Sequence, residues 1–257
     1  MSRAPRRQRL DLLLVERGLA ESRTRAQALV LSGAVVVGEA RVDKPGTLVA
    51  VGQKIRVKED AAPRRWASRG AEKLLEALRA FPVDPRGQTC ADLGASTGGF
   101  TDVLLARGAA RVYAVDVGYG QLHSRLRADP RVVVKDRQNA RALTAESLGE
   151  RVDLAVGDLS FISLKLVLPA VKALLRPGGK AILLVKPQFE VGKGEVGKGG
   201  VVRDEAKRTA AVEGVAQAAR SLGFTVLGRT PSPIEGPAGN REWLLALSVP
   251  AERGDGP

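Results

Sequence analysis

The chain has 257 residues, enough for one large domain or two unequal ones, and its 41 Lys and Arg against 28 Asp and Glu give a formal charge of +13. That excess favours a polyanionic partner, without distinguishing RNA, DNA and an acidic membrane surface. One cysteine, Cys90, and one histidine, His123, exclude an intramolecular disulfide, a cysteine metal cluster and a multi-histidine centre; no apolar run approaches the ~20 residues of a membrane helix, and no signal peptide is visible, so a cytoplasmic soluble protein without a metal site is expected.

In chain order, residues 1–8 are basic and read as disordered. Leu10–Arg17 reads as a short helix stopped by Gly18. Ser22 caps a second helix, Arg23–Leu31, stopped by Gly33. Its Ala26, Leu29 and Val30 share one face, which leaves Arg23 and Gln27 outward. Ala34–Val37 is a strand, Arg41-Val42 resumes it after a turn, and Gln53–Val57 alternates like a half-buried strand. Residues 59–67 are polar, contain Pro63 and read as a linker.

These first sixty or so residues resemble the S4-type RNA-binding domain. The resemblance rests on Arg9-Leu10-Asp11-x-Leu13-Leu14, Ser22-Arg23-x-x-Ala26 and Gly33-x-Val35-x-Val37 with Val42. It implies phosphate contacts by Arg9, Arg23, Arg25, Lys44 and Lys54, with Arg65 added from the linker. Singly, each is equally a solvated surface charge; collectively they supply nonspecific phosphate affinity.

From Ser68 the pattern changes to α/β. A helix opens at Ser68 with Leu74, Leu75 and Leu78 inward. Thr89–Leu93 is an apolar strand that runs into Gly94-Ala95-Ser96-Thr97-Gly98-Gly99 and then a helix from Phe100. Arg111–Asp116 is a second strand ending in a carboxylate, about 20 residues after the glycines, as a ribose-binding acid should be. The spacing Gly-x-x-x-Gly-Gly is neither the dinucleotide fingerprint nor a P-loop. Strands Arg131–Val134, Asp153–Gly157 and Lys180–Val185 follow, nearly all apolar, as parallel strands buried on both faces require. Glu205–Leu222 is helical, and Phe224–Arg229 with Glu242–Ser248 closes the sheet as an antiparallel pair. The order predicts a doubly wound, mostly parallel, seven-stranded Rossmann-like sheet with ligands at the strand C-termini. The expected division is 8–58 for the small α+β domain, 59–67 for the linker and 68–250 for the sheet domain.

Asp92-x-Gly94-x-x-x-Gly98-Gly99 resembles motif one of the methyltransferases that use S-adenosylmethionine. With Ser68-Arg69-Gly70, Asp158-Leu159-Ser160-Phe161-Ile162-Ser163, Lys186-Pro187-Gln188-Phe189-Glu190 and Gly239-Asn240-Arg241-Glu242, the whole chain resembles the TlyA (hemolysin A-like) family, with its FtsJ-like catalytic domain. The resemblance implies methyl transfer from S-adenosylmethionine to a ribose 2′-hydroxyl of ribosomal RNA, in assembled subunits. It places a Lys-Asp-Lys-Glu tetrad on Lys73, Asp158, Lys186 and Glu242. It places Asp92, Gly94, Ser96, Gly98 and Phe100 around the methionine part of the cofactor, Asp116 on the ribose and Asp136 near the adenine amine.

A ribose 2′-hydroxyl is hardly ionised at neutral pH, so attack on a sulfonium methyl needs its proton removed and its oxygen aligned. A lysine serves as base only with a lowered pKa, which a second ammonium and desolvation favour and carboxylates oppose. Lys186 is the expected base, Lys73 the residue that orients the hydroxyl and depresses Lys186, and Asp158 and Glu242 their positioners. Outside the motif context, these four types read first as a structural ion-pair network. Gly192–Gly200 reads either as a mobile basic lid over the RNA entrance or as a surface loop. Two other functional readings stand beside methyl transfer: an inactive RNA-binding assembly factor, and membrane lysis.

Overall fold

The computed structural model describes residues 6–251 except 21, 32–33, 58–65, 193, 198 and 237. The chain divides into two units, Met1–Arg65 and Trp66–Pro257. Residues 1–5, the expected helix stop Gly33, linker residues 59–65 with Arg65, and Lys193 and Lys198 of the glycine-rich loop lie outside the described residues.

The small unit runs β1 (Arg7–Arg9), α1 (Leu10–Glu16), α2 (Arg23–Leu31), β2 (Val35–Val37), β3 (Ala40–Arg41), β4 (Leu48–Ala50) and β5 (Ile55–Val57). β1 pairs antiparallel with β4, while β2 lies between β3 and β5. Residues 7–8 are therefore ordered, contrary to expectation: Arg7 stands opposite Ala50 and Gln8 opposite Val49. Leu10, Leu13 and Leu14 of α1 share a core with Ala26 and Val30 of α2 and with Val35 and Val37 of β2. The helix periodicity places the apolar faces correctly and leaves Arg23 exposed as expected, while Gln27 is half-buried. Both turn toward Asp11, which is fully buried.

The large unit runs α3 (Ala71–Ala80), β6 (Thr89–Leu93), α4 (Gly99–Ala106), β7 (Arg111–Asp116), α5 (Ser124–Arg127), β8 (Val132–Asp136), α6 (Ala145–Leu148), β9 (Val152–Gly157), α7 (Leu168–Leu174), β10 (Leu175–Val185), α8 (Glu205–Ser221), β11 (Thr225–Pro231) and β12 (Trp243–Ser248). The sheet has seven strands in the order β11-β12-β10-β9-β6-β7-β8, with β12 antiparallel to both its neighbours. Successive residues of β6 feed opposite cores. Cys90 meets Leu74, Phe100 and Leu104 on one face; Ala91 and Leu93 join Val171, Val212 and Val215 on the other. This period-two division explains why the parallel strands are apolar throughout. β10 starts at Leu175, five residues before the expected Lys180, and its register slips between those residues, a stretch that includes Gly178 at φ +75°.

The chain order reverses at β6, which has β7 on one side and β9 on the other. Register then brings the strand ends into line: Leu93 pairs with Gly157, Leu183 with Gly157, and Val185 with Trp243. Glycine loop, Asp158, Lys186 and Glu242 consequently meet at one sheet edge, the place where a doubly wound sheet opens its crevice. No helix among the described residues is long and apolar enough to cross a membrane.

Candidate active site

The glycine loop is built by its own backbone. The amides of Gly94 and Ala95 both donate to the Val115 carbonyl, at 2.9 and 3.0 Å, so β7 holds the turn leaving β6. Gly94 takes φ +81°, and a Cβ there would lie 2.9 Å from the Asp158 carbonyl oxygen. Gly98 caps α4 at φ +96°, where a Cβ would meet Leu126 and Leu122. Two non-negotiable glycines thus let the backbone of the cradle lie against the neighbouring loop and against Leu122 and Leu126, where a Cβ has no room.

Asp92 is 1% exposed. Its Oδ2 accepts from the Thr101 amide at 2.8 Å and the Thr101 hydroxyl at 2.7 Å, while Oδ1 has no hydrogen-bond partner among the described residues. Burial pushes its carboxyl up to about 7, and the two Thr101 bonds only partly oppose this. Asp116 accepts from the Ser96 amide at 2.8 Å and the Gly118 amide at 2.7 Å, tying the glycine loop to the end of β7. Asp136 accepts from Arg127 at 2.9 Å and from the Gly120 amide at 3.2 Å. Burial would raise its carboxyl, but these donors hold it below the ordinary range. Six of the seven expected cofactor residues therefore gather around the ends of β6, β7 and β8. Phe100 has a different setting. At 3% exposure its ring belongs to the core beneath α4, because the helix begins at Gly99 and its first apolar side chain faces inward. His123, with an exposed ring, caps α5 through Nδ1. Tyr119 is 71% exposed, with the Arg137 guanidinium 4.6 Å from its ring centroid.

The four tetrad residues form one connected network. Lys73 Nζ lies 2.8 Å from Glu242 Oε2 and 3.1 Å from Asp158 Oδ2. Lys186 Nζ lies 2.6 Å from Asp158 Oδ1 and 2.8 Å from Ser160 Oγ. Asp158 thus gives one oxygen to each lysine. Burial alone would raise its carboxyl, but the Lys186 and Lys73 ammoniums hold it below the usual range. Burial likewise opposes charge on Lys73, and the Asp158 and Glu242 carboxylates overcome it, so its ammonium is favoured. Two ammoniums and two carboxylates balance, the condition under which buried charges are tolerated. Asn240, 2% exposed, secures the approach to Glu242: it accepts from the Val202 amide and donates to the Gly200 carbonyl. The described part of the glycine-rich loop is accordingly pinned at Gly200, and nearer its start Glu195 accepts from the Gly192 amide and pairs with Lys207.

Sequence reasoning passed over four residues. Ser160 and Glu190 stand inside motifs already singled out, but nothing local shows their partners. Thr101 holds Asp92 from the first turn of α4. In the small unit, Asp11 collects Arg9, Arg23 and Gln27 on its carboxylate, which Arg9 pulls well below the usual range against burial. Arg25, Lys44 and Lys54 are exposed and have no ion-pair partner among the described residues.

A parallel sheet of this order, with a glycine cradle after its switch-point strand and an acid ending the next, defines the class: a Rossmann-like methyltransferase. The FtsJ-like methyltransferase family matches residues 66–249, and the S4 domain matches residues 8–55. The chain is 52% identical over 248 residues to the 16S/23S rRNA (cytidine-2′-O)-methyltransferase TlyA of Mycobacterium tuberculosis, covering 96% of this chain and 92% of that one. It is 38% identical over 242 residues to hemolysin A of Brachyspira hyodysenteriae, covering 94% of this chain and all of the relative. A solved candidate hemolysin from Streptococcus thermophilus superposes with TM-score 0.72 at 40% identity, covering 98% of this chain and 92% of that one. The chain belongs to the TlyA family of FtsJ-like methyltransferases.

Proposed function

We propose that this chain transfers the methyl of S-adenosylmethionine to a ribose 2′-hydroxyl of ribosomal RNA. The observation that carries the reading is the Lys73–Asp158–Lys186–Glu242 network, set at the same sheet edge as the glycine cradle. The cradle fits the cofactor. Gly94 and Gly98 let the loop backbone turn tightly beneath the sheet edge, and Asp92 keeps beside it a buried oxygen with no hydrogen-bond partner among the described residues. Asp92, Gly94, Ser96 and Gly98 would hold the methionine part, Asp116 the ribose and Asp136 the adenine side. When bound, the cofactor supplies an electrophilic methyl on a sulfonium.

The chain's own residues handle the nucleophile. An ammonium has three donors. Lys186 donates one to Ser160 and sits in an ion pair with Asp158, which leaves a direction for the substrate hydroxyl. In its neutral form Lys186 takes the hydroxyl proton as the oxygen attacks. Lys73 fixes Asp158 and Glu242, and the fixed network holds Lys186 in line. The small unit, residues 8–58 with the segment 59–67, would grip phosphates through Arg9, Arg23, Arg25, Lys44, Lys54 and Arg65, while the sheet domain admits one extruded nucleotide. Arg9 and Arg23 suit this role, because Asp11 orders both while their side chains stay 43% and 56% exposed.

The test is transfer of labelled methyl to unmethylated small and large ribosomal subunits, with the label mapped to its atom. Label on ribose 2′-oxygens sustains the proposal and names the target. Label on a base nitrogen or carbon refutes it, as does cofactor binding without any transfer.

A further inference from the structure

The motif that carries Lys186 ends in an acid to which the tetrad assigns nothing. Glu190 follows the single 3-10 turn Pro187–Phe189. Its Oε1 accepts from the Leu164 amide at 2.6 Å, and its Oε2 accepts from Ser163 Oγ at 2.7 Å. Ser163 and Leu164 open the 3-10 turn Leu164–Leu166 that ends the loop carrying Asp158. The same two segments meet twice more. Lys186 reaches back to Asp158 and Ser160, and the Phe189 ring centroid lies 5.4 Å from that of Phe161. Glu190 thus forms the outer bond of a strap whose inner bond is the Asp158–Lys186 pair. Among the described residues it makes no hydrogen bond to any tetrad member. A half-buried acid is an expensive way to join two loops. Its particular merit is two acceptors in one plane, matched to two donors on one turn.

We propose that Glu190 is a positioning residue for methyl transfer: it sets the spacing of the loops after β9 and β10, and with it the Asp158–Lys186 geometry. This rests on the reading of Lys186 given above. The chemistry of the partners makes the proposal separable from simple loss of an acid. The Leu164 amide can only donate, so it needs an oxygen opposite. The Ser163 hydroxyl can donate or accept. E190Q therefore keeps both links, with the amide oxygen facing Leu164 and the amide nitrogen donating to Ser163. E190A cuts both links, and S163A cuts one.

Single-turnover methyl transfer to unmethylated ribosomal subunits, alongside cofactor Kd by calorimetry, tests it. A displaced reacting group costs up to about a hundredfold in rate. The expected result is a fall of about ten- to a hundredfold for E190A, a smaller fall for S163A, a rate within about threefold of wild type for E190Q, and an unchanged cofactor Kd throughout. Wild-type rates in E190A and S163A overturn the proposal. So does an E190Q as slow as E190A, or a loss confined to cofactor affinity. Should E190A not fold, S163A decides: a full rate overturns the proposal, and a slower rate at unchanged Kd sustains it. A wild-type protein that methylates neither subunit removes the proposed function itself, an outcome visible before any variant is measured.

Discussion

Lys186 and Asp92 are both buried, and burial treats them differently. Lys186 has a carboxylate and a hydroxyl within 2.8 Å, so its charge is provided for. As the proposed base it is expected to matter for turnover rather than for cofactor binding. K186A should lower methyl transfer about 10²- to 10⁴-fold, the usual worth of a positioned base, with cofactor affinity unchanged by calorimetry. Most of the turnover surviving in K186A would remove the assignment. Asp92 has no cation partner among the described residues, and its folded-state pKa rises to about 7 from an ordinary 3.8. The native state therefore holds this proton more tightly than the unfolded state does. The corresponding stability is complete below pH 4 and is lost as pH rises through 7. The difference amounts to about 4 kcal/mol. D92N, which does not titrate and still offers an oxygen to Thr101, should gain steadily on wild type in melting temperature between pH 4 and 8. Parallel melting curves across that range would contradict this.

The loop after β6 shows how one backbone turn serves two neighbours. At Gly94 the constraint is double: φ is +81°, and the Asp158 carbonyl lies where a Cβ would go. G94A should therefore destabilise the fold by about 2 kcal/mol and weaken cofactor binding, because the loop bearing Asp158 must move. Gly149, at φ +106° with nothing within 4 Å of its Cβ position, is the control. G149A should cost only the backbone strain, about 1 kcal/mol, and leave cofactor affinity intact. Denaturant midpoints and calorimetry on both variants check the contrast.

The charge of +13 belongs to the molecule's proposed partner more than to its fold. Phosphate contacts release counterions, so the logarithm of affinity for ribosomal RNA should fall linearly with the logarithm of salt. R25A should reduce that slope by about 1, since Arg25 is exposed and unpaired among the described residues. Cofactor affinity should stay unchanged in the same variant. An unaltered slope, by filter binding over a salt series, would exclude Arg25 as a phosphate contact.

The primary sequence missed β1 and β4 of the small unit, but by itself it determined most of the other strands and helices, where the glycines interrupt them, and the seven-stranded α/β class. Those features are local: apolar period, helix caps and positive-φ turns are written within a few residues. It also placed carboxylates and lysines just beyond strand ends, where a doubly wound sheet presents its ligands. The pairings were decided only by the tertiary structure. Lys73 and Glu242 are 169 positions apart and meet because α3 packs in one core with β12. Asp11 stands in the S4-type motif with no local sign of its burial, yet it is fully buried, with Arg23 and Gln27 of α2 donating to it. Phe100 reads as part of the cofactor loop, yet it turns into the core. Which oxygen meets which nitrogen, and which side of a residue is inside, depends on the packing of elements distant in sequence, and no local pattern records that.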